Sequence, residues 1–199
     1  MYYHPRVYEI FMKILHGKSL SDRYKIIAAE IGENKKVLDV GCGTSLLANF
    51  LYDDCKYSGI DLNKNFIKFA RNKGLDVIYG DLLDGKNYLE SDVIVVCDVL
   101  HHVVPNHNKL IDICKNNSKK LIICEPYKKE GLFYDFLNKI RSNKFFHRLL
   151  GESDGINRFE DMLEWNSFDL DKLNSLMKDY GADRIINIGS HLICVIEKK

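Results

Sequence analysis

The sequence predicts an α/β fold, in which an open, doubly wound and mostly parallel sheet carries helices on both faces and ends with an antiparallel strand. Short apolar segments alternate with amphipathic ones between residues 36 and 124. Strands that alternate with helices pair in parallel through right-handed crossovers. Near the chain end, the apolar segments 184–188 and 192–196 lie only a few residues apart. So short a connection fits a hairpin, which reverses the last strand.

Five strands and three helices make up the parallel part of the predicted sheet. The segment 93–97, VIVVC, is almost fully apolar, as expected of a strand covered on both faces. The other strands are predicted over 36–40, 57–61, 77–79 and 121–124, the helices between strands over 46–52, 65–72 and 107–114, and two N-terminal amphipathic helices over 5–16 and 20–32. A last helix starts at Asp169 and stops before Gly181.

The composition is that of one globular domain spanning residues 1–199. Apolar residues make up 46%, and 29 Lys and Arg nearly balance 28 Asp and Glu, for a formal net charge of +1. This balance disfavours a protein held to nucleic acid mainly by bulk charge, although a local basic patch stays open. Apolar stretches fall short of the ~20 residues that span a bilayer, and no secretory signal is visible. We therefore expect a cytoplasmic protein.

The strongest signal is the segment VLDVGCGTS over residues 37–45. Gly41 and Gly43 let the backbone turn sharply and let a ligand approach closely, although a simple strand-to-helix turn has the same pattern. Leu46 stands where a dinucleotide fingerprint needs a third glycine. Asp39 would repel a pyrophosphate but suits an ammonium or sulfonium ligand. The turn therefore favours a cationic ligand over NAD.

Two more aspartates stand where the second and third strands end. Asp61, twenty residues after Gly41, can accept hydrogen bonds from both hydroxyls of a ribose. Asp81, or the backbone beside it, can hold the amino group of an adenine. One such aspartate is more often a cap or a turn residue. Three of them at the crevice where open sheets bind ligands predict a nucleoside site.

These motifs resemble those of class I S-adenosylmethionine-dependent methyltransferases. The resembling segments are VLDVGCGTS, GIDLN, GDLLD, VIVVCDVLHHV and LIICEP, within residues 35–126. Ser45 stands where many members carry another glycine. Residues 167–199 resemble the family by strand order only. The resemblance implies a Rossmann-like, seven-stranded sheet with a reversed last strand, S-adenosylmethionine as cofactor and S-adenosylhomocysteine as product.

On this resemblance the domain divides into four parts. They are a helical N-terminal cap (1–34), a cofactor-binding core (35–126), a helical substrate-cover insertion (127–165) and a final helix with a strand hairpin (166–199). The implied cofactor-binding residues are Asp39, Gly41, Cys42 and Gly43 at the methionine end, Asp61 with its neighbour Leu62 at the ribose, Asp81 and Leu82 at the adenine, and Cys97 and Asp98 at the sulfonium.

Candidate catalytic residues follow the fourth and fifth strands. His101 or His102 could act as a general base, because histidine titrates near neutral pH, or could cap the following helix. Tyr127 could orient a substrate or simply pack. A metal site at His101, His102 and His107 is disfavoured because no acidic partner stands at ligand spacing, and the six cysteines contain no C-x-x-C pair. We expect no metal and reduced core thiols.

The acceptor is predicted to be a small molecule, namely a metabolite, a quinone or a lipid-like compound. The Asn/Asp/Ser-Pro-Pro-aromatic sequence with which resembling enzymes methylate base amino groups is absent, and a His-His turn stands there instead. The insertion could select the acceptor, contact a membrane surface through its basic residues, or form a lid with solvated lysines. An RNA or protein methyltransferase and a non-catalytic cofactor-binding partner stay open, and the oligomeric state is unassigned.

Overall fold

The computed structural model describes residues 5–127 and 169–198. The strands are β1 (Lys36–Val40), β2 (Lys56–Asp61), β3 (Asp76–Tyr79), β4 (Ser91–Cys97), β5 (Ser118–Pro126), β6 (Arg184–Ile188) and β7 (His191–Glu197). The helices are α1 (Pro5–Ile31), α2 (Lys64–Asn72), α3 (His107–Asn116) and α4 (Leu170–Asp179). Short 3₁₀ turns occupy Leu46–Asn49, Gly85–Asn87 and Leu100–His102.

The described strands form one sheet in the order β3-β2-β1-β4-β5-β7-β6. Neighbouring strands from β1 to β5 pair in parallel, whereas β7 runs antiparallel to both β5 and β6. The predicted fold class is therefore confirmed, including the reversed last strand. The strand order changes direction between β1 and β4, and in open sheets the crevice at the carboxyl ends beside such a change takes the ligand.

Helices cover both faces of this sheet. On one face Ile27 of α1 packs in the same cluster as Val95 of β4. On the other face Leu110 of α3 and Met177 of α4 pack in a cluster with Ile94. All five side chains are fully buried. Adjacent residues of β4 thus enter opposite cores, which explains why its sequence is apolar throughout.

The N-terminal region is one helix, where the sequence predicts two. α1 runs unbroken through Gly17, although a glycine inside a helix costs about 1 kcal/mol relative to alanine. Contacts at both ends of the helix offset that cost. Near its start Glu9 lies 2.7 Å from Lys73 of α2, and near its end Ile27 enters the core. Tertiary packing therefore overrides the local break signal.

The helix predicted over 46–52 is only a short 3₁₀ turn. The Asn49 side-chain amide donates to the Leu46 carbonyl at 3.1 Å, and the Phe50 N–H donates to Leu47 at 2.9 Å. Such local hydrogen bonds compete with those of an α-helix.

Two remaining predictions concern the second half of the chain. Of the predicted insertion 127–165, residues 128–165 lie outside the described residues. Helix α4 begins at the predicted cap, because the Asp169 carboxylate accepts a hydrogen bond from the Lys172 N–H at 2.8 Å.

Within the described ranges, no helix has both the length and the apolarity that crossing a membrane requires.

Candidate active site

The glycine turn after β1 depends on two glycines for different reasons. Gly41 has a φ of +77°, and a Cβ at this position would lie 2.4 Å from Cγ2 of Val99. Gly43 has a φ of +54°, and no described atom lies within 4 Å of a Cβ placed there. Gly41 is therefore required by packing, whereas Gly43 leaves its side of the turn open for a ligand.

Asp61, at the end of β2, holds this turn in place. Its Oδ2 accepts a hydrogen bond from the Gly43 N–H at 2.8 Å, and its Oδ1 accepts one from the Asn63 N–H at 2.7 Å. The side chain is half-buried, and Leu62 beside it is half-buried as well. A carboxylate oxygen can accept more than one hydrogen bond.

Asp39 lies beneath the turn and is only 5% exposed. Its carboxylate accepts a hydrogen bond from the Tyr57 hydroxyl at 2.9 Å. Burial raises the pKa of Asp39 to about 7, repulsion from Asp61 adds to the rise, and the Tyr57 hydrogen bond opposes it. The carboxyl therefore titrates near neutral pH, and a cation beside it would favour the ionised form.

Cys42 fills the space between the turn and the strand beneath it. Its side chain is 8% exposed, and a Cβ on Gly59 would lie 2.8 Å from its Sγ. Burial raises the pKa of the Cys42 thiol above its usual range. Cys42 is therefore a neutral packing residue whose backbone belongs to the turn.

The loop after β3 places Asp81 and Leu82 differently. Asp81 is exposed, and its Oδ1 accepts a hydrogen bond from the Leu83 N–H at 2.8 Å. Leu82 is buried, and its carbonyl accepts a hydrogen bond from the Tyr88 hydroxyl at 2.8 Å. The two residues thus present a charged and an apolar group next to each other at this strand end.

The end of β4 carries an ion pair in which Arg23 is fully buried and Asp98 is partly buried. Arg23 of α1 donates through Nη1 to both carboxylate oxygens of Asp98, at 3.0 and 2.9 Å, and His191 Nε2 lies 3.2 Å from Asp98 Oδ1. Burial opposes ionisation of Asp98, but Arg23 and His191 outweigh it and hold the pKa of Asp98 well below its usual range.

Cys97, the last residue of β4, has a neutral thiol. A hydrogen bond with Cys124 and burial raise the pKa of that thiol.

His101 forms a dyad with a buried glutamate. Glu125 is fully buried. Its Oε1 accepts hydrogen bonds from the Val99 and Leu100 N–H groups, both at 2.7 Å. Its Oε2 lies 2.8 Å from His101 Nδ1. The His102 ring lies 4.0 Å from the His101 ring, centroid to centroid. Because Val99 also packs against Gly41, the histidine turn and the glycine turn are adjacent.

Tyr127 follows Glu125 by two residues, and its hydrogen bonds go to the turn between β6 and β7. Its hydroxyl lies 3.1 Å from Asn187 Oδ1 and 3.0 Å from the Gly189 carbonyl, and its N–H donates to the Ser190 carbonyl at 2.9 Å. The structure therefore ties Tyr127 to the turn between β6 and β7 and does not join it to the His101 side chain.

Sequence reasoning did not identify Arg23, and it placed Glu125 only in the segment that leaves the fifth strand, without a role of its own. Arg23 occupies the buried stripe of α1 with Leu20, Ile27 and Ile31, so a cation at an apolar position of the helical period is the signal that could have found it. Glu125 lies at the end of an apolar strand, one residue before its last, and a carboxylate at a strand end is the same signal that identified Asp61.

The profile of a family described as a methyltransferase domain matches residues 31–179. The chain belongs to this family. The matched range begins at the last residue of α1 and ends with α4, so it contains the glycine turn and the strand ends described above. The resemblance to class I S-adenosylmethionine-dependent methyltransferases is thereby confirmed, and S-adenosylmethionine is the cofactor of such enzymes.

Curated methyltransferases match parts of the chain. The ubiquinone biosynthesis O-methyltransferase of Thiobacillus denitrificans is 36% identical over 90 residues, which are 40% of this chain and 38% of that protein. The ribosomal RNA small subunit methyltransferase A of Mesomycoplasma hyopneumoniae is 24% identical over 129 residues, 55% of this chain and 50% of that protein. The chain thus spans half or less of the length of these curated relatives.

A solved methyltransferase structure shares the fold. The magnesium protoporphyrin IX methyltransferase from Synechocystis PCC 6803, with bound SAH, superposes with a TM-score of 0.62 at 16% identity. The superposition covers 94% of this chain and 85% of that one.

The residues of this methyltransferase domain fit the cofactor, and the most direct observation is at Arg23. Its side chain is fully buried, yet neither Nε nor Nη2 has a hydrogen-bond partner among the described residues. These two N–H groups form one edge of the guanidinium, and a carboxylate is the group that pairs with such an edge. S-adenosylmethionine carries a carboxylate, an ammonium and a sulfonium at its methionine end, and the side chains of Arg23, Asp39 and Asp98 carry the charges opposite to these groups.

Proposed function

We propose that this protein transfers the methyl group of S-adenosylmethionine to a small-molecule acceptor, such as a metabolite, a quinone or a lipid-like compound. The observation that carries this proposal is the Glu125–His101 dyad beside the glycine turn, with 2.8 Å between Oε2 and Nδ1. A positioned base next to a cofactor site suits an acceptor that loses a proton. The name of the quinone-pathway relative supports a small acceptor.

At the methionine end, three side chains match the charges of the cofactor. The unpaired edge of Arg23 takes the carboxylate, and the buried carboxylate of Asp39 takes the ammonium. The backbone of Gly41, Cys42 and Gly43 permits close approach. Ionised Asp98, together with Cys97, borders the sulfonium. An anionic side chain held beside a sulfonium favours the cofactor over its neutral product.

At the nucleoside end, the strand ends of β2 and β3 supply the contacts. Asp61 accepts hydrogen bonds from the ribose hydroxyls, with Leu62 beside it. Asp81 accepts from the adenine amino group, and Leu82 packs against the base.

His101 is the proton acceptor in this proposal. When bound, S-adenosylmethionine supplies an activated methyl group whose transfer needs no further leaving-group activation. Nδ1 of His101 donates to Glu125, which leaves Nε2 as the nitrogen that receives the acceptor's proton. Glu125 orients the ring and stabilises the imidazolium that forms, as a carboxylate does in other histidine dyads. His102 and Tyr127 are the candidates for orienting the acceptor.

The test uses purified protein, methyl-labelled cofactor and a metabolite extract, followed by identification of the labelled product. We expect a labelled small molecule. With that product, His101→Asn lowers kcat by about 10²- to 10⁴-fold and leaves the affinity for the cofactor unchanged. Glu125→Gln also lowers kcat. Cofactor binding without any labelled product would instead indicate a non-catalytic partner protein.

RNA is the second candidate acceptor, since a ribosomal RNA methyltransferase matches 55% of the chain. This alternative predicts label in RNA and an RNA affinity that falls steeply with salt. Label in the small-molecule fraction alone excludes it.

A further inference from the structure

A second concave site lies between helix α2 and the end of β3, on the outer side of α2. It is an open concavity with a volume of about 310 Å³. Its lining residues are Lys64, Ile67, Lys68, Arg71, Asn72 and Tyr79. This set, called here the α2 site, contains three cations and no carboxylate. Its composition therefore favours an anionic ligand.

The cations of the α2 site are placed against two local preferences of a helix. Lys64 is the first residue of α2, where the helix dipole favours anions, and the first turn contains no acidic residue. Lys68 is four residues from Lys64 and three from Arg71, and like charges at these spacings destabilise a helix. Natural sequences break such local rules mainly at functional sites. A bound anion would remove both penalties.

Tyr79 adds a planar apolar surface to this charge. Its side chain is 49% exposed, and Lys64 Nζ lies 4.9 Å from the centre of its ring. Arg71 is fixed beside the ring's strand, because its Nε donates to the Val77 carbonyl at 2.9 Å. An exposed aromatic ring among cations is the arrangement on which a nucleic-acid base stacks while its phosphate is neutralised.

We propose that the α2 site binds one nucleotide unit, with its base on Tyr79 and its phosphate among Lys64, Lys68 and Arg71. The volume lies within the range of small-ligand pockets, about 300–1,000 Å³. A free mononucleotide and a single-stranded RNA share this chemistry. The α2 site adjoins the proposed nucleoside end of the cofactor crevice, because Tyr79 lies opposite Asp61 in the register of β3 and β2, and it requires no particular methyl acceptor.

The experiment measures nucleotide binding with the cofactor crevice filled by saturating S-adenosylhomocysteine. Adenosine monophosphate is titrated by calorimetry, and a fluorescent octauridylate is titrated by anisotropy at several salt concentrations. We expect Tyr79→Ala to weaken binding about tenfold or more, because stacking on an aromatic side chain is lost. Tyr79→Phe retains the ring and should bind as the wild type does. Lys68→Ala should weaken binding as well.

Two matched variants control for exposure and charge. Tyr52 is 47% exposed, Lys56 is also exposed, and neither residue lines the α2 site. Tyr52→Ala and Lys56→Ala should therefore leave nucleotide binding unchanged. Thermal unfolding of each variant confirms its fold, and exposed Lys68 provides a second test if Tyr79→Ala lowers the midpoint.

The two arms distinguish the source of the nucleotide. Monophosphate binding that both site variants weaken identifies a free nucleotide. Binding of the strand alone, with a salt dependence that Lys68→Ala makes less steep, identifies RNA. Binding of neither ligand overturns the proposal, and so do wild-type affinities in both Tyr79→Ala and Lys68→Ala.

Discussion

The carboxylate of Asp61 and the backbone of Gly43 form one unit, because Oδ2 accepts the Gly43 N–H at 2.8 Å. The residue proposed to bind the ribose therefore also sets the position of the turn proposed to bind the methionine end. This hydrogen bond links the two ends of the proposed cofactor site, so a change at Asp61 should act on both.

Asp61→Ala should weaken S-adenosylmethionine binding by roughly one to a few kcal/mol, because charge-assisted hydrogen bonds to the ribose are lost. Isothermal titration calorimetry measures this directly. Asp54→Ala, which removes an exposed carboxylate elsewhere, serves as the control. Unchanged affinity in Asp61→Ala would remove Asp61 from the cofactor site.

The affinity for the cofactor should rise with pH up to about 7 and then level off. Burial, with repulsion from Asp61, raises the pKa of Asp39 to about 7, so the carboxyl of the cofactor-free protein is mostly protonated below that pH. An ammonium favours the ionised form, and binding therefore releases a proton. The affinity should gain up to about tenfold per pH unit below 7.

Calorimetry in buffers of different ionisation enthalpy counts the released protons. Asp39→Asn should bind more weakly and should lose this pH dependence, because its amide does not titrate. An affinity that stays flat in the wild type between about pH 5.5 and about pH 7 would contradict the assignment of Asp39 to the ammonium.

Gly41→Ala and Gly43→Ala should separate folding from binding. The alanine at Gly41 meets Val99 at 2.4 Å as well as an unfavourable φ, whereas the alanine at Gly43 meets only the unfavourable φ of +54°. We expect Gly41→Ala to lose clearly more stability in urea unfolding. Gly43→Ala should stay folded but lose cofactor affinity, since its methyl group enters the open side of the turn.

The added variant Gly41→Ala/Val99→Ala removes the clash and should recover part of the stability. Equal destabilisation by the two single glycine changes would show that Val99 does not determine the cost at Gly41.

The sheet could be predicted from the sequence because each strand and each turn is specified by the residue types of a few consecutive positions. Strands such as β4 are apolar and β-branched over a few consecutive residues, and the turn at Gly41 needs a particular residue type at a particular position. Arg23 carries no such local pattern, and the strand-end carboxylate pattern of Glu125 does not identify its partner. Arg23 meets Asp98 across 75 positions of the chain, and Glu125 meets His101 across 24. Their roles arise only when distant segments are packed together.

The continuity of α1 is a second feature that contacts between distant segments determine. The glycine at position 17 is a correct local signal of helix weakness, and contacts with α2 and with the sheet override it. Those contacts also carry Arg23 to the end of β4, so the error in the helix prediction and the missing site residue have one cause.

The Arg23–Asp98 pair should be strongly coupled in a double-mutant cycle. Arg23→Met leaves the carboxylate of Asp98 without its main counter-charge, and Asp98→Asn leaves a fully buried guanidinium unpaired. Asp98→Asn should cost about 3–5 kcal/mol in urea unfolding, because a buried charge loses its partner. Arg23→Met should cost less, because Asp98 is 25% exposed and keeps His191 3.2 Å away. The double variant Arg23→Met/Asp98→Asn buries no unpaired charge and should therefore cost much less than the sum of the two.

Asparagine suits this cycle because Asp98 has a φ of +57°, a conformation that asparagine tolerates well. The backbone thus stays comparable in all four proteins. Single changes that each cost less than about 1 kcal/mol would show that the pair does not hold α1 on the sheet. In that case the position of Arg23, and with it the proposed contact to the cofactor's carboxylate, would depend on the apolar stripe of α1 alone.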